Sequence, residues 1–314
     1  MPRIKVHSPG FLTTVQDQGR IGFSHFGISV SGASDPVSLR IGNLLVGNDQ
    51  NAPALEMTLT GGSFEFEERT FIAIAGSDFQ PQIDRNIISL WTTIEVMKGQ
   101  VLKFSSTRSG ARCYLCIQGG IDVPEIFGSS STHLLTGMGG FQGRSLKKGD
   151  IIFFAGDTKK NIILYKLRND ISKELSERKY FRVTEAPQTD FFPDEILELF
   201  STKPYMVTEE INRMGLRLSG SELIRSNSDN FVTEGVTLGA IQVSHNGQPI
   251  ILFVEHQTTG GYPKIANVIS ADTHRIGQLR SGDEIRFIFV SFEEAFKQKL
   301  YLESLISENS FIKI

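Results

Sequence analysis

The chain has 314 residues, about twice the size of a common single domain, so two domains are expected. Its 32 Lys and Arg stand against 35 Asp and Glu, a net charge of -3, which argues against a large basic footprint for nucleic acid or anionic lipid. Two cysteines exclude a disulfide scaffold, no apolar run approaches the roughly 18–20 residues of a membrane helix, and no signal-peptide pattern opens the chain, so a cytoplasmic protein is expected.

Asp35 is placed to cap a helix with Pro36 at its first position. Val37, Ile41, Leu44 and Leu45 form the stripe and Gly47 the stop. Residues 63–67 alternate apolar and acidic side chains, as a half-buried strand does. Residues 71–75, 162–165 and 250–254 are short apolar runs that predict strands buried on both faces. Lys98-Gly99-Gln100, Lys148-Gly149-Asp150 and Ser281-Gly282-Asp283 each read as a glycine turn feeding a strand. Their recurrence suggests two β-domains on a similar plan. Residues 166–179 are charge-rich and form the candidate linker, which divides the chain into 1–170 and 171–314. A helix is expected after Pro193, through Ile196, Leu197, Leu199 and Phe200. Ser291-Phe292-Glu293-Glu294 has capping-box spacing and opens an amphipathic helix to about Ile306.

Several motifs carry less than they promise. Cys113 and Cys116 have the spacing of a redox or zinc half-site, but the flanking residues read as a strand. Positions i and i+3 of a strand face opposite ways, so both are read as buried small hydrophobes. The run from Gly137 to Gly143 has Gln142 where a dinucleotide fingerprint needs its third glycine, and Arg144-Ser145 where a phosphate loop needs lysine. What is left is a glycine loop able to bring backbone amides near an anion. Met97-Lys98 resembles the biotin-carrier dipeptide, but Gly99 makes it a turn, so no covalently attached biotin is expected. The six histidines, at 7, 25, 133, 245, 256 and 274, show no metal-ligand spacing, and no metal site is expected. No G-x-S-x-G nucleophile elbow occurs.

Polar residues and glycine concentrate in four segments: 13–20, 31–35, 213–220 and 255–264. The last follows an apolar strand directly and would be presented at a strand end, a common place for small-molecule recognition. Within it Gln257, Thr258 and Thr259 offer donors and acceptors, Gly260 allows close approach, and Tyr262 offers an aromatic wall. The same segments carry a resemblance. Gly10-Phe11-Leu12-Thr13-Thr14-Val15-Gln16-Asp17-Gln18-Gly19-Arg20, Ser31-Gly32-Ala33-Ser34-Asp35, Gly139-Gly140-Phe141-Gln142-Gly143-Arg144, Arg213-Met214-Gly215-Leu216-Arg217-Leu218, Gly239-Ala240-Ile241-Gln242-Val243 and Gln257-Thr258-Thr259-Gly260-Gly261-Tyr262-Pro263 resemble, in order, the KipA family. That family is also called allophanate hydrolase subunit 2, the biotin-dependent carboxyltransferase family, or the 5-oxoprolinase C-subunit (PxpC). The chain departs from its usual pattern at Thr233, Leu238, Ser244 and Glu255, where Ser, Pro, Pro and Asp are common.

The resemblance implies a mainly β fold: two cyclophilin-like β-barrel domains with a few short helices. It implies one part of an ATP-dependent 5-oxoprolinase that opens 5-oxo-L-proline to L-glutamate with an A-subunit plus a KipI-like B-subunit. ATP, with Mg, enters in the assembled complex. The substrate is a small cyclic amide, with no nucleic acid and no membrane involved. An unactivated lactam is a poor electrophile until its oxygen becomes a leaving group, and such chemistry needs cations near phosphate and polar groups along the amide edge. Arg20, Arg144, Arg213 and Arg217 are the candidate clamps, and Asp17, Glu255 and His256 the candidate acid–base groups. Gln16, Gln242 and Gln257, with Asp35, Thr258, Thr259, Gly260 and Tyr262, are the candidate substrate-binding residues. Two alternatives remain: carboxyl transfer to urea or a related amide, and a regulatory antagonist of a KipI-like kinase inhibitor.

Overall fold

A computed structural model describes residues 1–155, 162–225 and 232–314. The chain divides into two compact units. The first comprises Met1–Arg20, Ser31–Ser176 and Leu305–Ile314, and the second Ile21–Val30 and Glu177–Ser304.

The first unit contains β1 (Arg3–Ser8), β2 (Leu12–Gln16), α1 (Pro36–Leu45), β3 (Ala54–Thr58), β4 (Ser63–Phe66), β5 (Thr70–Gly76), β6 (Gln82–Ile83), β7 (Asn86–Ile87), β8 (Thr93–Val96), β9 (Val101–Lys103), β10 (Arg112–Ile117), β11 (Ile151–Phe153), β12 (Tyr165–Leu167) and α2 (Asn169–Leu175). Two sheets form, in the orders β11-β1-β4-β9-β6-β7 and β2-β3-β10-β5-β8. Their inner faces meet in one core, where Ile4, Val6, Phe64 and Leu102 of the first sheet join Val15, Met57, Ile72 and Leu115 of the second. Helix α1 covers the outer face of the second sheet. Asp35 caps it by accepting the Ser38 N–H at 2.9 Å, and Gly47 closes it with φ of 71°, as its sequence predicts. Because the sheet is covered on both sides, β10 is buried at every position: Cys113 and Leu115 face the core, while the Cys116 Sγ lies 3.8 Å from the Leu39 carbonyl of α1.

The second unit contains β13 (Tyr180–Glu185), α3 (Asp194–Thr202), β14 (Tyr205–Ile211), β15 (Gly215–Ser219), β16 (Glu234–Gly235), β17 (Ala240–Val243), β18 (Pro249–Leu252), β19 (Thr259–Gly260), β20 (Lys264–Val268), α4 (Thr273–Ile276), β21 (Glu284–Phe289) and α5 (Phe292–Leu305). Seven of these strands close a barrel in the order β13-β20-β17-β18-β15-β14-β21, with β21 returning parallel to β13. A separate two-stranded ribbon pairs β16 with β19. At the chain's end β22 (Phe311–Lys313) pairs with β12 of the first unit. The fold is mainly β with few helices, as expected.

The three glycine turns share one hydrogen-bond pattern across both units. Gly99, Gly149 and Gly282 have φ of 84°, 91° and 86°, a region open to glycine at little cost. Their N–H groups donate to Phe66, Val6 and Val207 carbonyls at 2.7, 2.8 and 2.9 Å. The same three partner residues donate back to Gln100, Asp150 and Asp283 at 3.0, 2.9 and 2.9 Å. Each turn thus locks the start of its strand onto a neighbour.

Three expectations need correction. Residues 162–164 are not a strand: the ladder with β22 begins at Tyr165, beyond a single backbone bond in which the Leu164 carbonyl accepts the Ile314 N–H at 3.0 Å, and Ile163 is exposed. Residues 166–179 are no bare linker. They hold β12 and α2, whose Ile171 and Leu175 are buried, although the two units do divide within them at Ser176. The last helix forms with Ser291 Oγ accepting the Glu294 N–H at 3.1 Å, yet it is not simply amphipathic: none of its residues is fully buried, and Phe292, Phe296 and Leu300 face solvent.

Candidate functional site

The predicted residues fall into two groups, one in each unit. In the first unit Asp17 ends β2 and is 2% exposed. Its carboxylate accepts hydrogen bonds from the Ser129 hydroxyl at 2.7 Å, the Ser130 N–H at 2.6 Å, the Gly19 N–H at 2.8 Å and the Ser131 hydroxyl. Arg20 is also buried and donates from Nη2 to the Ser131 carbonyl. Both therefore hold the serine run 129–131 in place. Gln16 donates from Nε2 to Thr14 Oγ1 at 3.0 Å and the Thr132 carbonyl at 3.1 Å, which fixes its amide orientation; its buried Oε1 has no hydrogen-bond partner. Asp35 is the cap of α1. Arg144 makes a two-pronged pair with Asp150 at 2.8 and 2.9 Å and lies over the Phe141 ring. That hydrogen bond holds the Asp150 carboxyl below its ordinary range.

The glycine loop is filled by its own chain. A Cβ on Gly139 would overlap the Ser131 carbonyl and Arg20 Nη2, and one on Gly140 would overlap Thr132 Oγ1. These glycines serve close packing rather than a phosphate cradle. Among the described residues no cluster of three or more His, Cys, Asp or Glu is placed to hold a metal.

In the second unit Arg213 and Glu255, predicted as clamp and acid, are each other's partner. Arg213 Nε donates to Glu255 Oε1 at 2.5 Å, both side chains are buried, and the Glu255 N–H donates to the Arg213 carbonyl at 2.7 Å. A pair buried this deeply is worth most through what breaking it would strand. His256 is buried, and its Nδ1 donates to the Gln257 carbonyl at 2.6 Å. Burial lowers its pKa, so the neutral ring carries its lone pair on Nε2.

Gln242, Gln257, Tyr262 and Arg217 line one cavity of about 590 Å³, a size suited to a small molecule. Gln242 sits on β17, 2% exposed, and donates from Nε2 to the Tyr262 carbonyl at 3.2 Å. A carbonyl only accepts, so Oε1 of Gln242 is the atom turned toward Gln257, whose Nε2 reaches it at 3.5 Å. Gly260 packs against Gln242: a Cβ there would lie 2.6 Å from Nε2. Thr258 accepts the Val236 N–H through its carbonyl at 3.1 Å, and Thr259 and Gly260 form β19. Arg217 pairs with Glu210 at 2.8 Å on the exposed rim. Sequence reading missed Glu209, Glu210 and Asn212 of the same lining, and also the buried Lys264, whose ammonium donates to Glu234. That donation holds Glu234 below the usual carboxylate range. Lys264 stands two residues beyond Tyr262, and a lysine so close to an apolar strand was the available signal.

A family model described as the carboxyltransferase domain, subdomain A and B, matches residues 26–289. The chain belongs to the carboxyltransferase domain family. Within it, the chain is 40% identical to the 5-oxoprolinase C-subunit of Escherichia coli K12, covering 96% of this chain and 97% of that one. It is 35% identical to the protein of the same name from Haemophilus influenzae, over 93% and 94% of the two chains. The crystal structure of the K. lactis urea amidolyase superposes with a TM-score of 0.89 at 31% identity, over 99% of this chain but 21% of that one. This chain thus corresponds to about a fifth of the amidolyase. Among the described residues of this carboxyltransferase-family chain no helix is long and apolar enough to cross a membrane.

Proposed function

We propose that this chain is the C-subunit of a 5-oxoprolinase complex and holds the lactam through the Gln242–Gln257 pair. The full-length similarity to two 5-oxoprolinase chains of that name carries the reading. A lactam presents its N–H and C=O on one edge. Two glutamine amides complement that edge: the ligand N–H donates to Gln242 Oε1, and the ligand carbonyl accepts from Gln257 Nε2. The 3.5 Å separation of these two atoms is long for a hydrogen bond, so a bound lactam replaces one weak bond with two of ordinary length. Tyr262 walls the cavity, and Arg217 on its rim is placed for the substrate carboxylate in exchange for Glu210.

Activating the lactam oxygen as a leaving group is chemistry that ATP with Mg supplies in the complex, through an A-subunit plus a KipI-like B-subunit. Asp17 and Arg20, and the Arg213–Glu255 pair, then serve as scaffold for the binding residues rather than as reacting groups. His256 fixes the backbone at Gln257. The compartment we propose is the cytoplasm.

A second reading, carboxyl transfer to urea or a related amide, draws support from the amidolyase likeness. Urea offers the same N–H and C=O edge. The deciding experiment co-expresses the chain with its A- and B-type partners and follows ATP-dependent glutamate release from 5-oxoproline, with urea as the competing substrate. Glutamate release from the complex, and none from the chain alone, is expected. A complex inert toward 5-oxoproline would sink the first reading.

A further inference from the structure

We infer that Lys264 is a positioning residue: its buried ammonium fastens the β16–β19 ribbon to the barrel and so sets Gln257 opposite Gln242. The inference rests on the reading of those two glutamines as the ligand-binding pair.

One cross-strand pair sets this geometry. Between β17 and β20 the register runs Ile241↔Ala266 and then Gln242↔Lys264, with Ile265 left over. Such a bulge re-aims the side chains beside it. Gln242 and Lys264 stand opposite each other, and each reaches one strand of the ribbon. The Gln242 amide lies beneath Gly260 of β19. Lys264 Nζ donates to the Glu234 carboxylate of β16 and lies 3.4 Å from the Gly235 carbonyl. Gln188 completes the clasp, donating to Glu234 while its Oε1 accepts the Lys264 N–H at 3.3 Å.

The ribbon cannot hold itself. Each strand is two residues long, and an isolated two-stranded ribbon is marginal in water. Its place is therefore set by its anchors. Of these the Lys264 side chain is 7% exposed, and a buried ammonium without an anionic partner is costly, so the pair has a strong preference for one arrangement. Gln257 precedes β19 by two residues, so displacement of the ribbon displaces its amide from Gln242.

The test compares Glu234→Gln, Lys264→Met and Lys264→Arg. Glu234 is half-exposed, so its variant folds even where Lys264→Met does not. Hydrogen exchange of the Val236 N–H, which bonds Thr258 across the ribbon, reports the clasp without any assay of activity. In Glu234→Gln and Lys264→Met it is expected to exchange at least about tenfold faster, with barrel amides such as Ile251 unchanged and Lys264→Arg close to wild type. In the reconstituted complex the 5-oxoproline KM is expected to rise about three- to tenfold with kcat nearly unchanged. Wild-type Val236 protection in Glu234→Gln overturns the inference. So does a loosened ribbon with wild-type KM while Gln257→Ala raises KM. If Gln257→Ala also leaves KM unchanged, the amide-pair reading itself fails, and the positioning role falls with it.

Discussion

The carboxylate of Asp17 accepts the backbone N–H of Ser130 at 2.6 Å, across 113 residues of sequence. With Ser129 and Ser131 it makes a buried knot at the end of β2. Removing the acceptor strands several buried donors at once, each costing more than an exposed hydrogen bond gains. Asp17→Ala is therefore expected to lose about 2–4 kcal/mol in urea unfolding, and Ser129→Ala about 0.5–1.5. A variant at position 17 as stable as wild type would show that the knot contributes nothing.

Gly42 of α1 faces Cys116 of β10. A Cβ at 42 would lie 2.6 Å from Sγ and 3.2 Å from the Ala75 Cβ. Alanine in a helix interior gains about 1 kcal/mol over glycine, whereas overpacking costs about 1–3, so the clash wins. Gly42→Ala is expected to lower the melting temperature, and Cys116→Ala in the same chain to restore part of it. Additive effects of the two substitutions would contradict the contact.

Burial raises the pKa of both thiols, that of Cys113 well above its ordinary value, so neither forms thiolate in the native protein. Thiol reagent at pH 8 is expected to label neither cysteine until denaturant is added. Rapid native labelling of either one would refute this.

Asp150 titrates below its ordinary range because Arg144 donates to it. A depressed carboxyl contributes stability above its unfolded pKa, about 3.9, and loses it as pH falls through the lower folded value. Arg144→Met should therefore differ from wild type by up to about 1 kcal/mol at neutral pH, and the difference should shrink toward zero in strong acid. A difference that grows with acid would have the wrong sign.

Gln257 is exposed at the cavity, so Gln257→Ala should leave melting temperature and complex formation intact. Loss of one ligand hydrogen bond, about 0.5–1.5 kcal/mol, predicts a two- to tenfold loss in kcat/KM for 5-oxoproline. Undiminished kcat/KM in a well-folded complex would remove Gln257 from the site.

The sequence by itself determined the local elements: the Asp35 cap and Pro36 start of α1, the three glycine turns, and a strand that turns Cys113 and Cys116 to opposite faces. Each of those signals is complete within about one helical turn or a few strand residues. It also pointed to Gln257 and Tyr262, because polar groups and glycine were dense at a strand end, and to Gln242 through the family resemblance; all three line the cavity. Only the tertiary structure decided what the charges do. Arg213 meets Glu255 across 42 residues and Lys264 meets Glu234 across 30, while Asp17 closes on serines more than a hundred residues away. A charge pairs with whichever partner strand register and burial bring within reach, and neither quantity is written in the neighbouring residues. Residues 162–164 mark the same limit from the other side: an apolar, strand-like run becomes a strand only where a neighbour's ladder is waiting for it.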